Sequence, residues 1–323
     1  MSFKPFFDLE EITGIKERRV HDQREESFED SFVLATRAAE DALKRSRYKA
    51  EDLDVIISGS IVRYKGGYRH YWEPSFALFL KRHLGARAAQ YFDVSNACAG
   101  MMSGIFLLDR MIKAGVVKNG LVVSGECITP IADTAVREIC EPFDSQFGSL
   151  TVGDAGVAVI LDDQGSDADR IERLELMTSS DYSRLCIGMP SDKTVGPALY
   201  TNNAEMHKED RLHLWPTFMQ DLLNKDGTTF AAEGYDYIIH HQVSSKFIQK
   251  VQKHSGKVFE APMPKSLAAV EHYGNTASTS HFVVLYEHLK QKAIEKGAKV
   301  LLVPAASGIV TGCLSATISS LEV

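Results

Sequence analysis

Ser95-Asn96-Ala97-Cys98-Ala99-Gly100-Met101-Met102 leads at once into the apolar, glycine-free run 105–112 (IFLLDRMI). Small residues on both sides of Cys98 predict a sharp turn from a strand into a buried helix. A thiol at a helix start faces unpaired backbone N–H groups and the positive end of the helix dipole, and both lower its pKa. The sequence therefore indicates a cysteine nucleophile at this turn, which is the best candidate for an active site.

Two distant segments carry residues that would assist such a nucleophile. The segment 238–242 (IIHHQ) is a short β-branched strand that ends in histidines, and 272–278 (HYGNTAS) is a small-residue turn that carries an amide. A Cys, a His and an Asn at strand ends or loops supply a nucleophile and two hydrogen-bond donors for one carbonyl oxygen. The alternative is that Cys98 is a small buried hydrophobe, the usual role of a free cysteine.

Charge and composition exclude several classes of protein. The chain has 323 residues and a formal net charge of −7, so it lacks the basic surface of a nucleic-acid binder. Its five cysteines are odd in number and show neither CxxC pairs nor metal-ligand spacing, so we expect reduced thiols and no metal site. No signal-peptide profile and no membrane-length apolar stretch is present in the sequence, and we expect a cytoplasmic protein.

Helical and strand signals alternate along the chain, which predicts an α/β fold. The pattern repeats after about 182 residues, and this offset predicts two duplicated α/β halves, 1–163 and 164–323. Chance spacing in any α/β protein is the alternative. If the duplication is real, Cys98 and Asn275 hold roughly corresponding places and the site lies at the junction. Helices are predicted at 32–43, 214–223 and 280–292, and strands at 53–58, 120–125, 157–161, 235–239 and 299–303.

A series of motifs in fixed order resembles the β-ketoacyl-ACP synthase III family, which belongs to the condensing enzymes of the thiolase fold. The motifs span nearly the whole chain: 13–18 (TGIKER), 93–100 (DVSNACAG), 152–156 (VGDAG), 241–242 (HQ), 273–276 (YGNT) and 308–312 (GIVTG). The resemblance implies a five-layered αβαβα architecture. It also implies an acyltransferase that loads an acyl group on Cys98 and then condenses it with a second acyl thioester, giving a β-keto product.

The resemblance assigns roles to individual residues. Cys98 resembles the nucleophile, and His241 and Asn275 resemble the pair that stabilises the enolate of the second thioester. His240 would point to the opposite face, because side chains alternate along a strand. The backbone N–H groups of Cys98 and of the segment with Ser307 and Gly308 would form the oxyanion hole for acylation. Family members have a Gly-rich run there, and Ala306-Ser307 departs from it.

Two departures from the family pattern concern the first strand and the residue at position 73. The family begins with a Gly-containing strand before the segment that matches 13–18, and only a dozen residues precede that segment here. Glu73 occupies a position that in family dimers reaches the partner's acyl pocket and is usually apolar. A glutamate there resembles the head-to-head acyl-condensing thiolases, in which it is proposed to act as the base. Beside Trp72 its pKa would be raised by desolvation; a solvated surface glutamate is the alternative.

The resemblance also implies partners. The substrates would be acyl-CoA or acyl-ACP thioesters, with no separate cofactor, and the enzyme would be a homodimer. Lys246, Lys250 and Lys253 fall on one helix face and would dock an acidic acyl carrier protein, although a solvated basic face is the other reading.

Other functions stay open at this point. Head-to-head condensation without loss of CO₂ would use Glu73 as base. Acyl transfer to an oxygen or nitrogen acceptor would keep the fold but would not need Asn275. A non-catalytic subunit of a heterodimer is the third alternative, and the presence of Cys98, His241 and Asn275 argues against it.

Overall fold

Two mixed β-sheets and a separate hairpin form the framework of the computed structural model, which describes residues 7–141, 143–321 and 323. The strands are β1 (Val55–Ser58), β2 (Gln90–Asp93), β3 (Asn119–Glu126), β4 (Ala155–Asp162), β5 (Arg170–Thr178), β6 (Cys186–Pro190), β7 (Pro197–Thr201), β8 (Tyr237–His240), β9 (Lys265–Ser266), β10 (Ala298–Val303), β11 (Ala305–Ala306) and β12 (Val310–Ile318). The first sheet has the order β2-β1-β3-β4. In the second the order is β11-β12-β10-β8-β9, and β5 pairs with β12.

Helices cover both faces of each sheet. They are α1 (Leu9–Thr13), α2 (Ser31–Arg45), α3 (Phe76–Leu84), α4 (Gly100–Lys113), α5 (Pro130–Glu138), α6 (Asn203–Met206), α7 (Glu209–Lys225), α8 (Phe230–Glu233), α9 (Ser245–Phe259), α10 (Val270–Tyr273) and α11 (Ser280–Lys290). The helices α4 and α11 lie between the sheets, α2 and α3 cover the outer face of the first sheet, and α7 and α9 cover the outer face of the second. The predicted αβαβα layering therefore describes the fold.

Alternation along the central strands explains this layering. On β1, Ile57 packs into the core between the sheets, whereas its neighbour Ile56 packs against α2 and α3. On β10, Leu302 faces the same central core and Leu301 faces α7. Successive side chains of a strand point to opposite faces, so a strand covered on both faces must be apolar at every position. This is why these strands read as continuous apolar runs.

The two sheets repeat one another. In the first, β1 is parallel to β2 and β3, and β3 is antiparallel to β4. In the second, β8 is parallel to β9 and β10, and β10 is antiparallel to β12. A 3-10 turn enters each central helix, and an alanine with positive φ opens each turn, Ala97 at 45° and Ala277 at 53°. The duplication predicted from spacing is thus visible in the topology, and Ser278 takes the place that Cys98 has in the first half.

The two sheets differ at one edge. In the second sheet β5 pairs with β12. The first sheet has no counterpart of β5 within residues 7–54, where no strand precedes β1, and β4 pairs with β3. The chain passes from the first sheet to the second between Asp162 and Arg170. The division at residue 163 stays a prediction.

The segment 178–210 is only partly irregular, although no helix or strand was predicted in it. The antiparallel pair β6 and β7 and the short helix α6 lie within it. The pair was missed because Gly188 and Pro190 interrupt the strand pattern.

Gly100 lets the turn that carries Cys98 approach the first sheet closely. A Cβ atom at this position would lie 2.2 Å from the backbone oxygen of Gly59. We expect Gly100→Ala to lower the free energy of unfolding by about 1–3 kcal/mol, because neither backbone has room to move apart. Urea denaturation of the purified protein measures this. Gly188→Ala is the control, since no atom lies within 4 Å of its Cβ position. Equal midpoints for Gly100→Ala and the wild type would contradict the expectation.

Candidate active site

Cys98 lies in the 3-10 turn Ala97–Ala99, directly before α4, as the small-residue pattern predicted. The positive φ of Ala97 turns the chain sharply between Asn96 and the helix. The thiol packs within an apolar cluster from both halves of the chain, which includes Ile128, Val152 and Ala277. Cys98 is therefore half-buried at the junction of the halves and not on the outer surface.

The expectation of a low thiol pKa is wrong for this structure. Burial raises the pKa of Cys98 above its usual range, and the neighbouring Cys186 and Glu126 add to the rise. A helix start favours the thiolate, but in an apolar cluster the cost of removing an anion from water is larger. The thiol is therefore protonated at neutral pH.

Asn275 sits on a turn that the first half of the chain holds in place. Its backbone N–H donates to the oxygen of Thr151 (2.8 Å), and its own backbone oxygen accepts from Gly153 (3.0 Å). Gly153 is needed at this contact, because a Cβ atom there would lie 2.1 Å from the backbone oxygen of Tyr273. The motif 152–156 thus serves to bind the turn that carries the amide.

The same turn fixes the amide group. The side-chain Oδ1 of Asn275 accepts a hydrogen bond from the backbone N–H of Ala277 (3.0 Å), which directs the NH₂ group away from its own turn. Ala277 packs against Cys98, and Val152, which forms an isolated bridge with Asn275, does the same. Cys98 and Asn275 therefore share neighbours.

His240 and His241 differ as the alternation predicted. His240 packs edge-on against Trp215 of α7, with ring centroids 5.4 Å apart. His241 stacks on His281 of the central helix α11, with ring centroids 5.7 Å apart. His281 in turn donates from Nε2 to the backbone oxygen of Val303 (2.9 Å). His241 is thus the histidine that faces the central layer.

His241 is held as a neutral imidazole. Burial, with a smaller contribution from His281, lowers the pKa of His241 to about 3. Its Nδ1 atom is enclosed and has no hydrogen-bond partner among the described residues. A neutral ring can donate one hydrogen bond to an oxygen and accept one at its other nitrogen, which suits it to bind a carbonyl oxygen.

Gln242 connects the histidine strand to the amide turn. Its side-chain oxygen accepts from the backbone N–H groups of Ala269 (3.0 Å) and Val270 (3.1 Å), and its NH₂ group donates to the oxygen of His240 (2.6 Å). These bonds fix the spacing between the end of β8 and α10, which precedes Asn275.

The hairpin of β11 and β12 contacts both parts of the site. Ala306 and Val310 pack against Cys98, and Ala305 and Ile309 line a cavity that both His240 and His241 border. Ser307 and Gly308 form the turn between these strands, so the segment predicted to supply an oxyanion-hole N–H lies near Cys98. The cavity is mainly apolar, and its wall includes Met206, Leu212, Trp215, Phe247 and Val303.

Glu73 is not brought to Cys98 within one chain. It is exposed, next to Trp72, which is 82% exposed, so the environment in this chain does not desolvate the carboxylate as the sequence analysis expected. The loop is anchored beside β2, because Asp93 accepts hydrogen bonds from Ser75 Oγ (2.8 Å) and from the backbone N–H of Phe76 (2.8 Å). The carboxylate therefore lies on the surface near an edge strand.

Lys246, Lys250 and Lys253 lie on α9 and are exposed. Lys246 binds the backbone oxygen of Glu11, and Lys250 donates to the backbone oxygen of His207 (2.9 Å). The spacing correctly placed them on one helix, and their role in carrier docking stays a prediction.

Two buried polar residues near the site were missed from the sequence. Glu126 closes β3 and binds Ser278, and His281 stacks on His241. The signal for Glu126 is a carboxylate at the end of an otherwise apolar strand. His281 gave no such signal, because a single histidine in an apolar helix is common in protein cores.

Among the residues that the structure describes, two groups of side chains have ligand atoms within 4.8 Å of one another, close enough to hold a metal ion: His21, Cys127 and Asp154, and Glu209, His213 and His254. In the first group His21 is already bonded to Asp154 (2.6 Å) and to the hydroxyl of Tyr68 (2.7 Å). Neither group contains a residue of the candidate site. Among the described helices, none has the length and apolarity that a bilayer span requires.

Comparison with known proteins gives the family. The model for 3-oxoacyl-[acyl-carrier-protein] synthase III matches residues 92–180, and the model for the C-terminal part of the same enzymes matches residues 226–318. Together the two matches cover more than half of the chain. The chain belongs to the 3-oxoacyl-ACP synthase III family. The predicted family, the α/β thiolase-like fold and the acyltransferase activity of a condensing enzyme are confirmed.

Relatives of this 3-oxoacyl-ACP synthase III family member align over nearly its full length. The β-ketoacyl-ACP synthase III of Clostridium novyi is 27% identical over 94% of this chain and 88% of its own. In structure, OleA of Xanthomonas campestris (TM-score 0.78, 23% identity) covers 96% of this chain and 87% of its own. The 3-oxoacyl-ACP synthase III of Aquifex aeolicus (TM-score 0.74, 23% identity) covers 94% and 88%. These structures share the fold.

Proposed function

We propose that Cys98 takes an acyl group from a thioester and that His241 and Asn275 then activate a second acyl thioester for carbon–carbon bond formation. One observation carries the assignment. Asn275 comes from the second half of the chain, yet its turn is bound to Thr151 and Gly153 and packs on the cluster around Cys98. This packing supports a site shared by a nucleophile and an amide donor from opposite halves of the chain.

Acylation forms the bond between the Cys98 sulfur and the acyl carbon and breaks the bond between that carbon and the carrier sulfur. The thiol proton ends on the departing carrier thiol. The tetrahedral oxyanion would be bound by the backbone N–H groups of Cys98 and of the turn at Ser307 and Gly308. Preset backbone donors are effective here because they do not reorganise during the reaction.

Condensation places the second thioester with its carbonyl oxygen between His241 and Asn275. The neutral imidazole and the carboxamide donate to the oxygen as the enolate forms, either by loss of CO₂ or by removal of an α-proton. The enolate carbon then attacks the acyl carbon on Cys98, and the thiolate leaves and is reprotonated. The apolar surroundings of Cys98 exclude water, which protects the acyl-enzyme from hydrolysis.

The substrates we propose are acyl-CoA or acyl-ACP thioesters, with no further cofactor and no metal. The Clostridium novyi relative is named for the acyl carrier protein, and exposed Lys246, Lys250 and Lys253 on α9 offer positive charge to such an acidic partner. We place the enzyme in the cytoplasm as a homodimer. Exposed Trp72 and Tyr91 beside the edge strand β2 support the dimer, since large aromatic side chains favour interfaces.

Intact mass spectrometry tests this proposal. The purified full chain is incubated with a panel of acyl-CoA and acyl-ACP donors, and a mass gain equal to one acyl group is expected. A second thioester should then discharge the label as a β-keto product. If no donor in the panel adds mass, the proposal fails and a non-catalytic role is favoured.

Head-to-head condensation is the second candidate, and the position of Glu73 favours it. The carboxylate sits beside exposed Trp72 at the edge where a dimer would form, so a partner subunit could desolvate it and receive it as a base. We expect Glu73→Gln to slow condensation with a plain acyl thioester about 100-fold, because general-base catalysis of this size is typical, and to spare condensation with a malonyl thioester.

Product formation from the two donors measures this difference. Glu51→Gln is a matched control, because it removes another exposed carboxylate of the same half. Unchanged turnover of the plain acyl donor by Glu73→Gln would remove Glu73 from the reaction.

A further inference from the structure

Glu126 is a buried carboxylate with uneven hydrogen bonding. The side chain is 0% exposed at the end of β3. Its Oε1 atom accepts from the backbone N–H of Ile61 (3.0 Å) and from the hydroxyls of Ser124 (3.1 Å) and Ser278 (2.5 Å). Its Oε2 atom is enclosed and has no partner among the described residues. Burial raises the pKa of Glu126 to about 7.

Glu138 is another buried carboxylate, and its hydrogen bonds can be compared with those of Glu126. Both of its oxygens are used, one by the hydroxyls of Ser191 and Thr194 and the other by the side-chain NH₂ group of Gln146. These bonds lower the pKa of Glu138 to about 2. A half-satisfied carboxylate such as Glu126 is costly to bury, so a fold that needed only packing would place an apolar residue there.

Glu126 is connected to the amide of the site through one turn. Ser278, which donates to Glu126, lies in the 3-10 turn Ala277–Thr279. The N–H of Ala277 in the same turn donates to Oδ1 of Asn275 (3.0 Å). Glu126 therefore binds the segment that orients the carboxamide.

The other contacts of Glu126 lead to the nucleophile. Ile61, whose N–H donates to Glu126, packs in the apolar cluster with Cys98, and so does Ala277. The hydroxyl oxygen of Ser124, the third donor, lies 2.8 Å from that of Ser278. One carboxyl group thus joins the end of β3, the loop after β1 and the amide turn around Cys98.

We propose that Glu126 is a positioning residue for the condensation step: by holding Ser278 it fixes the turn that presents the Asn275 carboxamide beside Cys98. This inference rests on the proposed function. Acylation of Cys98 does not use Asn275, so the loss of Glu126 affects condensation more than loading. A displacement of about 1 Å at such a group costs about 100-fold in rate.

The test separates the two half-reactions of the full-length protein. Loading is followed by intact mass with an acyl-CoA that the wild type accepts, and condensation by discharge of the preloaded enzyme with the second thioester. We expect Glu126→Ala and Ser278→Ala to lower the discharge rate by about 10- to 100-fold, while loading changes less than about threefold. Glu126→Gln keeps an oxygen that accepts from Ser278, and should restore discharge to within about threefold of the wild type.

The matched control is Glu138→Ala, which removes a buried carboxylate bonded to two hydroxyls but not to the amide turn. It should leave the ratio of the two half-reactions unchanged. If Glu126→Ala does not fold, Ser278→Ala decides alone. Equal losses of loading and discharge, or wild-type discharge in Ser278→Ala, would overturn the inference. A wild type that does not load at all would instead overturn the proposed function, and this inference with it.

Discussion

Cys98→Ala should abolish acyl loading and lower condensation by on the order of 10³-fold or more, since removal of a covalent nucleophile leaves only binding and oxyanion stabilisation. The substitution removes one sulfur atom from an apolar cluster, so the fold is expected to persist. Intact mass after incubation with an accepted acyl thioester measures loading, and product formation measures condensation.

Cys140→Ala is the matched control, because Cys140 is a free and exposed thiol outside the candidate site. It should load like the wild type. If Cys98→Ala still gains acyl mass, or if Cys140→Ala gains none, the assignment of Cys98 as the nucleophile is wrong.

Asn275→Ala should reduce condensation by about 10²- to 10³-fold while Cys98 still loads, because one preset donor to the enolate oxygen is lost. His241→Ala should show the same pattern. The pKa of His241 is lowered to about 3, so its ring stays neutral from pH 5 to 9 and the condensation rate should show no histidine titration near pH 6.5. Discharge of the preloaded enzyme across this pH range measures both effects.

His240→Ala provides the control for this pair. His240 packs against Trp215, so its replacement should lower stability by about 1–3 kcal/mol but keep the discharge rate within a few-fold of the wild type. If His240→Ala stops condensation and His241→Ala does not, His240 and not His241 binds the enolate oxygen.

The strands and turns of the framework could be predicted because each leaves a residue pattern within a short segment of the sequence. Continuous apolar runs gave β1, β3 and β10, and small residues around Cys98 gave the turn into α4. Alternation at the end of β8 predicted that the rings of His240 and His241 pack against different helices, α7 and α11. Each of these features depends on neighbours within a few residues.

The electrostatics could not be read in this way. The pKa of Cys98 depends on Ile128, Val152 and Ala277, which come from distant segments and desolvate the thiol. Glu126 joins the site through Ile61 and through Ser278, a residue of the other half. The proposed role of Glu73 depends on a partner subunit, whose atoms one chain does not contain. The pKa of Cys98 and the surroundings of Glu126 and Glu73 depend on packing between distant segments and not on local secondary-structure propensity.

The hydrogen bonds between Asn275 and the segment around Thr151 and Gly153 have an evolutionary consequence. Under the proposed function, the thiol of one repeat works only with the amide of the other, so the two repeats are constrained to change together at this contact. A substitution in one repeat at this contact must be compensated by a substitution in the other repeat. If the gene were split between the repeats, we expect activity only when both fragments are produced together.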